Sequence, residues 1–396
     1  MLTGKMPTIA DIGEKTLIRE LLPRLSTHEA FANSFGDAAS TMRTPDGRLL
    51  HFAIDRVAGP MAVRHGWADH RLWGRLAVTS ACSGILAGGG EPQAVMLALI
   101  LPREWPAEAA AQVIEGAAEE CAANDIVFAG CDATEGPSPE VVASAIGVGD
   151  GDRDGRSDTA STMPTMPTMP TMPSAPSAPS APCAPPGRGA RPGDLIVLAG
   201  DLGGHFSAYL QLTHAARSRD RSAASRRGAW LDYVARPRAR WHEAAAVRQA
   251  GLATAGANTR PGLLDALTAL STGLGAEISL DALPYHPLAL ECAERLAIDP
   301  FNLALGAGDW NIVYTVREEP WERFHQARPA GDTLKLTAIG RIGTGTGTGT
   351  GAGTDIAWTN STDDRFTCRH VTPEPHDGHA LVQHLRHART LIQTPA

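Results

Sequence analysis

The 396-residue chain is 43% hydrophobic, 20% charged and 5% aromatic, carries 41 Gly and 29 Pro, and has a net charge of −8. That is a globular composition enriched in loop residues. Its 35 Lys and Arg are scattered, apart from a loose Arg-rich stretch between Arg217 and Arg248. This excludes the concentrated basic footprint of a duplex nucleic-acid binder. The longest apolar run, Ala94 to Leu101, falls far short of the ~20 residues of a membrane helix, so neither nucleic acid nor membrane is expected as a partner.

A first unit, residues 10–150, alternates strand and helix signals. Leu49 to Ile54 is a short strand pattern ending at Asp55, and Ala94 to Leu101 predicts a buried strand. Between them, Trp73 to Ala87 has apolar residues at helical spacing and stops at Gly88-Gly89-Gly90, a strong helix terminator. Pro106 to Ala123 is Ala-rich and helical, Ile126 to Phe128 is a short strand, and Val141 to Val148 is another. Residues 151–190 contain Thr-Met-Pro and Ser-Ala-Pro triplets, a composition that buries too little apolar surface to offset its ordering entropy and predicts a disordered insertion.

A second unit, 191–342, opens with Arg191-Pro192-Gly193-Asp194, the apolar run Leu195 to Ala199 and the glycine-rich turn Gly200 to Gly204. Helices are predicted at about 205–217, 239–251, 261–274 and 287–297, and strands at 276–280, 310–316 and 333–339. Residues 343–396 hold a Gly-Thr repeat and a polar, His-rich tail. The fold class is therefore α/β (α+β) in two domains. Six Cys without a CxxC pair, and an N-terminus without a signal-peptide apolar stretch, point to the cytoplasm.

Several familiar chemistries are missing. The turn Asp150 to Gly155 imitates the start of a calcium loop but has Ser161 at its twelfth position. Gly200 to Gly204 matches neither a P-loop nor a dinucleotide fingerprint, although Gly200, Gly203 and Gly204 permit close backbone approach to a phosphate. The 14 His form no HExxH pair, and no Gly-x-Ser-x-Gly follows a strand. Three Asp at strand ends or turns remain: Asp37, Asp55 and Asp132. Hard oxygen ligands converging at one sheet edge would hold Mg²⁺ bridged to nucleotide phosphates.

In chain order these motifs resemble the thiamine-monophosphate kinase family and, more broadly, the aminoimidazole ribonucleotide (AIR) synthetase superfamily. Gly36-Asp37 stands for the family's Gly-Asp-Asp, and Ile54 to Gly59 for its Thr-Asp-Thr-Leu-Val-x-Gly strand end. Leu76 to Pro92 is similar to the helix that reads Asn-x-Ser-Asp, and Gly130 to Pro137 to Gly-Gly-Asp-Thr-Thr-x-Gly-Pro. The resemblance implies an N-terminal domain whose strands pair across a homodimer and a C-terminal α/β domain. It also implies ATP with Mg²⁺, and γ-phosphoryl transfer to thiamine monophosphate or a similar small phosphorylated substrate. On that likeness Asp37, Asp55 and Asp132 are the metal ligands, Gly130 and Thr134 join the nucleotide site, Asp132 and Asp309 are catalytic, and Asn258, Arg260 and Trp310 face the substrate.

The departures fall on carboxylates. The second Asp of Gly-Asp-Asp is Ala38, the helix Asp is Gly84, and Asp-x-Ser-Asp-Gly has become Asn258-Thr259-Arg260-Pro261-Gly262. Gly-Gly-Glu-Asp-Tyr-Glu has become Gly306 to Asn311, keeping Asp309 and placing Trp310 where the Tyr stood. Less negative charge implies fewer metal ions. The alternatives are a paralogue with another small substrate, or a nucleotide-binding, non-catalytic dimeric partner.

Overall fold

A computed structural model describes residues 38–149 and 189–343, except 218–221, 261 and 330, together with 356–368 except 363 and scattered positions near both ends. Asp37 and the low-complexity insertion, including its expected disorder, lie outside the described residues.

The first unit is a five-stranded sheet backed by two helices. Its elements are β1 (Ser40–Arg43), β2 (Leu49–Val57), a turn of helix α1 (Met61–Arg64), α2 (Arg71–Ala87), β3 (Glu91–Leu101), α3 (Ala107–Ala123), β4 (Val127–Glu135) and β5 (Glu140–Gly149). The strand order is β1-β2-β5-β3-β4. Only the β3–β4 pair is parallel, and it carries an irregularity between Val95 and Met96. Strand alternation sends Val95, Leu97, Leu99, Val141, Ala143 and Ala145 to the helix side, where they are buried. Their neighbours Phe52, Ile54 and Met96 go to the other face, where they are 37%, 76% and 44% exposed.

Helix α2 is buried on almost every side. From Leu72 to Ala87 only Arg75 is not buried, the signature of a helix enclosed within a core rather than lying on one. It touches β2, β3, β5 and α3 within its own unit and β7 and β9 of the second. Two glycines let α2 and α3 approach backbone to backbone. A Cβ at Gly74 would fall on the Val113 carbonyl, and one at Gly116 on that of Arg71. At the rim the helices are tied by Arg71–Glu115 and Arg75–Glu119 pairs at 2.5 and 2.7 Å.

The second unit comprises β6 (Leu195–Ala199), α4 (Gly204–Arg217), α5 (Ser222–Ala235), α6 (Trp241–Gln249), β7 (Ala253–Asn258), α7 (Leu263–Ser271), β8 (Ala276–Ser279), α8 (Pro287–Leu296), α9 (Pro300–Ala304), β9 (Ile312–Val316), α10 (Glu318–Ala327) and β10 (Leu336–Ile342). Short strands β11 (Ile356–Thr359), β12 (Arg365–Cys368) and β13 (Leu391–Gln393) complete an eight-stranded sheet, ordered β13-β12-β11-β8-β10-β6-β9-β7. Strands β6 and β9 are buried along their whole length, as strands covered on both faces must be.

The expected two-domain α/β organisation stands, with local corrections. The 126–128 strand runs on to Glu135, so Asp132 lies within a strand instead of a turn. Strands β1 and β7 and helices α5 and α10 have no counterpart among the predicted elements. Part of the unplaced tail is strand, with Trp358 wholly buried in the second core. The α2–α3 contact yields a test. Gly116→Val forces the helices apart and is expected to destabilise the fold by about 1–3 kcal/mol, read as a Tm several degrees lower in thermal unfolding. The same substitution at the unobstructed Gly228 controls for propensity.

Candidate functional site

Two polar sites stand out, the first spanning the seam between the units and the second within the C-terminal unit. The first is built around Asp55, which β2 delivers on the helix side of the sheet. Ser80 Oγ of α2 donates to its Oδ2, and Arg260 Nε, from the turn after β7, lies 3.0 Å from the same oxygen. Asp55 is 14% exposed and Arg260 46%, so the pair closes over the carboxylate while part of the guanidinium stays open to solvent. The turn carrying Arg260 is fixed twice: Asn258 Oδ1 accepts the Arg260 N–H at 3.3 Å, and Thr259 N donates to the Asn311 carbonyl at 2.8 Å. The seam is further held by Tyr314 Oη donating to the Leu86 carbonyl at 3.1 Å and by an Arg248–Glu91 pair at 2.7 Å.

The second site is a shallow polar cleft in the C-terminal unit, lined by Asp201, Tyr233, Arg238, Arg240, Asp309 and Lys335 among others. Asp309 forms its buried floor. Its carboxylate accepts the N–H groups of Gly203 and His205 at 2.7 Å each, saturating donors at the start of α4 that no intrahelical carbonyl can reach. Burial pushes the Asp309 carboxyl up to about 6 against the pull of these hydrogen bonds. His205 and His286, half-buried beside it, are driven down to about 4 by desolvation and are neutral near pH 7. Lys335 pairs with Asp201. Arg240 donates to Asn311 Oδ1 through Nε at 2.8 Å, and Asn311 Nδ2 donates to the Asp201 carbonyl at 2.6 Å. Asn311 therefore links the two sites.

The other predicted residues are dispersed. Register sets Asp55 beside Ala143, Leu97 and Cys131 in one cross-strand row, and Arg56 beside Val142, Ala98 and Asp132 in the next. Because paired residues share a face and consecutive residues alternate, Asp132 points to the face opposite Asp55. It is also three strand spacings away, ~14 Å. Gly130, Asp132 and Thr134 form one line along the exposed edge strand β4. Trp310 is buried with Leu72, Leu76, Leu212 and Trp230, packs edge-on against His205, and has a left-handed backbone at φ 44°. That places it in the core instead of on a substrate. Gly84 lies where α2 meets the start of the described chain, and a Cβ there would sit 2.7 Å from the Ala38 carbonyl oxygen.

A magnesium cluster does not fit the described members of this set within one chain, Asp37 lying outside the described residues. Asp55 is already engaged by a guanidinium, Asp132 faces away, Gly84 leaves no room for a carboxylate, and Asn258 Oδ1 is spent on its own turn. Among the described residues no group of three or more His, Cys, Asp or Glu is placed to hold a metal ion, and no helix is long and apolar enough to cross a membrane. Ser80, Arg240, Asn311 and Lys335 were not singled out from sequence. Ser80 alone had a local signal, standing one turn before Gly84 on the same face of α2.

Comparison with known proteins identifies residues 36–149 with the family model for AIR synthase related protein, N-terminal domain. The chain is 27% identical over 299 residues to the thiamine-monophosphate kinase of Methanospirillum hungatei JF-1, covering 75% of this chain and 80% of that protein. It superposes on the structure described as AaThiL complexed with AMPPCP and TMP with a TM-score of 0.66 at 18% identity, covering 90% of this chain and 96% of the other. The Escherichia coli hydrogenase maturation protein HypE gives a TM-score of 0.53 at 17% identity, over 83% and 87% of the two chains. These structures share the fold.

The electrostatics of Asp309 carry a sign that can be measured. Its native pKa, about 6, lies above the ordinary 3.8, so its contribution to stability is complete below pH 3.8 and is lost as pH rises through 6. In urea unfolding, the stability difference between wild type and Asp309→Asn is expected to shift against wild type by ~2 kcal/mol between pH 4 and 7.

Proposed function

We propose that this chain, a thiamine-monophosphate-kinase-like member of the AIR synthase superfamily, is an ATP-dependent phosphotransferase acting on a small phosphorylated substrate, with thiamine monophosphate the first to test. The observation that carries this reading is the seam. Collinear likeness to a kinase over three quarters of the chain coincides with a polar seam at which Asp55 of one unit meets Arg260 of the other. In such a transfer the bond between the γ-phosphorus and the bridging oxygen breaks, ADP leaves, and an oxygen of the acceptor phosphate forms the new P–O bond. No nucleophilic side chain is required. Protein groups contribute positioning and charge neutralisation, roles within reach of Arg260 and of the Arg and Lys lining the second cleft.

The apolar outer face of the first sheet supports a homodimer. Phe52, Ile54, Met96 and Val127, the last 62% exposed, make a continuous patch of the kind a partner covers. The Gly130-Asp132-Thr134 line lies on the same face, so a second copy packed there would bring its own Asp132 toward the shared interface. Asp132 then acts at the dimer interface, on the face of the sheet opposite Asp55. Ile54→Glu is expected to turn the dimer into a monomer in sedimentation velocity. A wild-type monomer at micromolar concentration would sink the proposal.

A second reading, a nucleotide-binding but non-catalytic partner, is favoured by the Arg260 guanidinium seated on Asp55. The assay that separates the two incubates the protein with ATP and thiamine monophosphate, with and without Mg²⁺, and follows thiamine diphosphate and ADP. The enzyme reading expects turnover that Asp132→Ala lowers by about two orders of magnitude. ATP binding without turnover supports the partner reading, and an absence of both turnover and ATP-induced thermal stabilisation overturns the enzyme reading.

A further inference from the structure

Among the described residues, Asp55 Oδ2 is met by the Ser80 hydroxyl and by the Arg260 guanidinium at 3.0 Å. A divalent cation bound to that oxygen would have to share its space with a second positive charge. At such separations two like charges repel strongly even in a screened protein environment. Among the described residues the flanking positions offer the metal nothing in compensation. The Ala38 carbonyl fills the volume into which a side chain at 84 would project, and the Asn258 side-chain amide oxygen closes the turn that delivers Arg260. That turn is anchored through Thr259 to Asn311, which is itself clamped by Arg240. The guanidinium is therefore presented from a braced loop, with 46% of its side chain still accessible. Arginine suits this duty, since its planar fork can satisfy a carboxylate with one edge and an anionic oxygen with another.

We propose that Arg260 is the resident cation of this site: Asp55 holds the guanidinium instead of a metal ion, and the remaining N–H groups of Arg260 receive phosphate oxygens of the nucleotide with no divalent cation at Asp55. This rests on the reading of the seam as a nucleotide-phosphate site. Arg260 is a binding residue in this scheme and Asp55 a positioning one.

The test uses Mn²⁺ as the metal probe, titrated by electron paramagnetic resonance into the full-length wild type, Asp55→Asn, Arg260→Ala and the double variant. Asp55→Asn should leave Mn²⁺ affinity unchanged within about twofold, whereas Arg260→Ala, which frees the carboxylate, should gain a site about tenfold tighter that the double variant lacks. Calorimetric titration of ATP in EDTA should give wild-type affinity within about threefold of that in Mg²⁺, a loss of about tenfold or more in Arg260→Ala, and partial recovery in Arg260→Lys. Thermal unfolding of each variant establishes that it is folded. The proposal is overturned if Asp55→Asn weakens a wild-type Mn²⁺ site by about tenfold, or if wild-type ATP binding collapses in EDTA. If wild type binds ATP under no condition, the nucleotide reading fails, and the Mn²⁺ titrations still decide which cation Asp55 holds.

Discussion

The molecule is organised around a helix that has no exposed face. Helix α2 is enclosed by its own sheet, by α3 and by strands of the second unit, so the two units share one buried element and cannot be separated without uncovering it. Close packing of this kind leaves each position a fixed volume. Gly74 meets the α3 backbone, Ser80 reaches Asp55, Gly84 lies under Ala38, and Leu86 accepts from Tyr314 across the seam. One helix thus sets both the interdomain geometry and what can stand beside the central carboxylate.

The site that results is an electrostatic compromise. An Asp held in a largely apolar wall needs a compensating charge, and the second unit supplies it as Arg260. In the C-terminal cleft the same logic is turned inward: Asp309 is satisfied by the amides that open α4, and the cations around it pair with Asp201 or brace Asn311. Asn311 is the common member, joining the turn of Arg260 to the floor of the cleft. A ligand anion that pulled on Arg240 would therefore act on the loop that presents Arg260.

Strong periodicity followed by Gly88-Gly89-Gly90 made α2 legible, and the alternating runs of β2, β3 and β5 were equally plain. Strand β7 was not, because Ala-Thr-Ala-Gly-Ala-Asn has little intrinsic strand preference and is extended only by pairing with β9. Asp132 resembled a turn residue for the opposite reason: Gly130 and Gly136 bracket it, while β3 draws the segment into register. Of the site, Asp55 was recognisable as an acid ending an apolar strand. Its partners were not, since Ser80 lies on another element and Arg260 on another domain, and pairing across such distances leaves no trace in local sequence. The motif around Asp309 and Trp310 suggested a catalytic carboxylate beside a substrate-facing ring; their burial, which makes one a helix anchor and the other a core residue, depends on packing invisible to a motif.

The contact between Gly84 and the Ala38 carbonyl limits what position 84 can become. The Ala38 carbonyl oxygen lies 2.7 Å from where a Cβ would stand, so any side chain placed there drives into backbone that has no rotamer to change. A carboxylate at this helix position, one turn beyond Ser80, therefore requires the segment before β1 to move first.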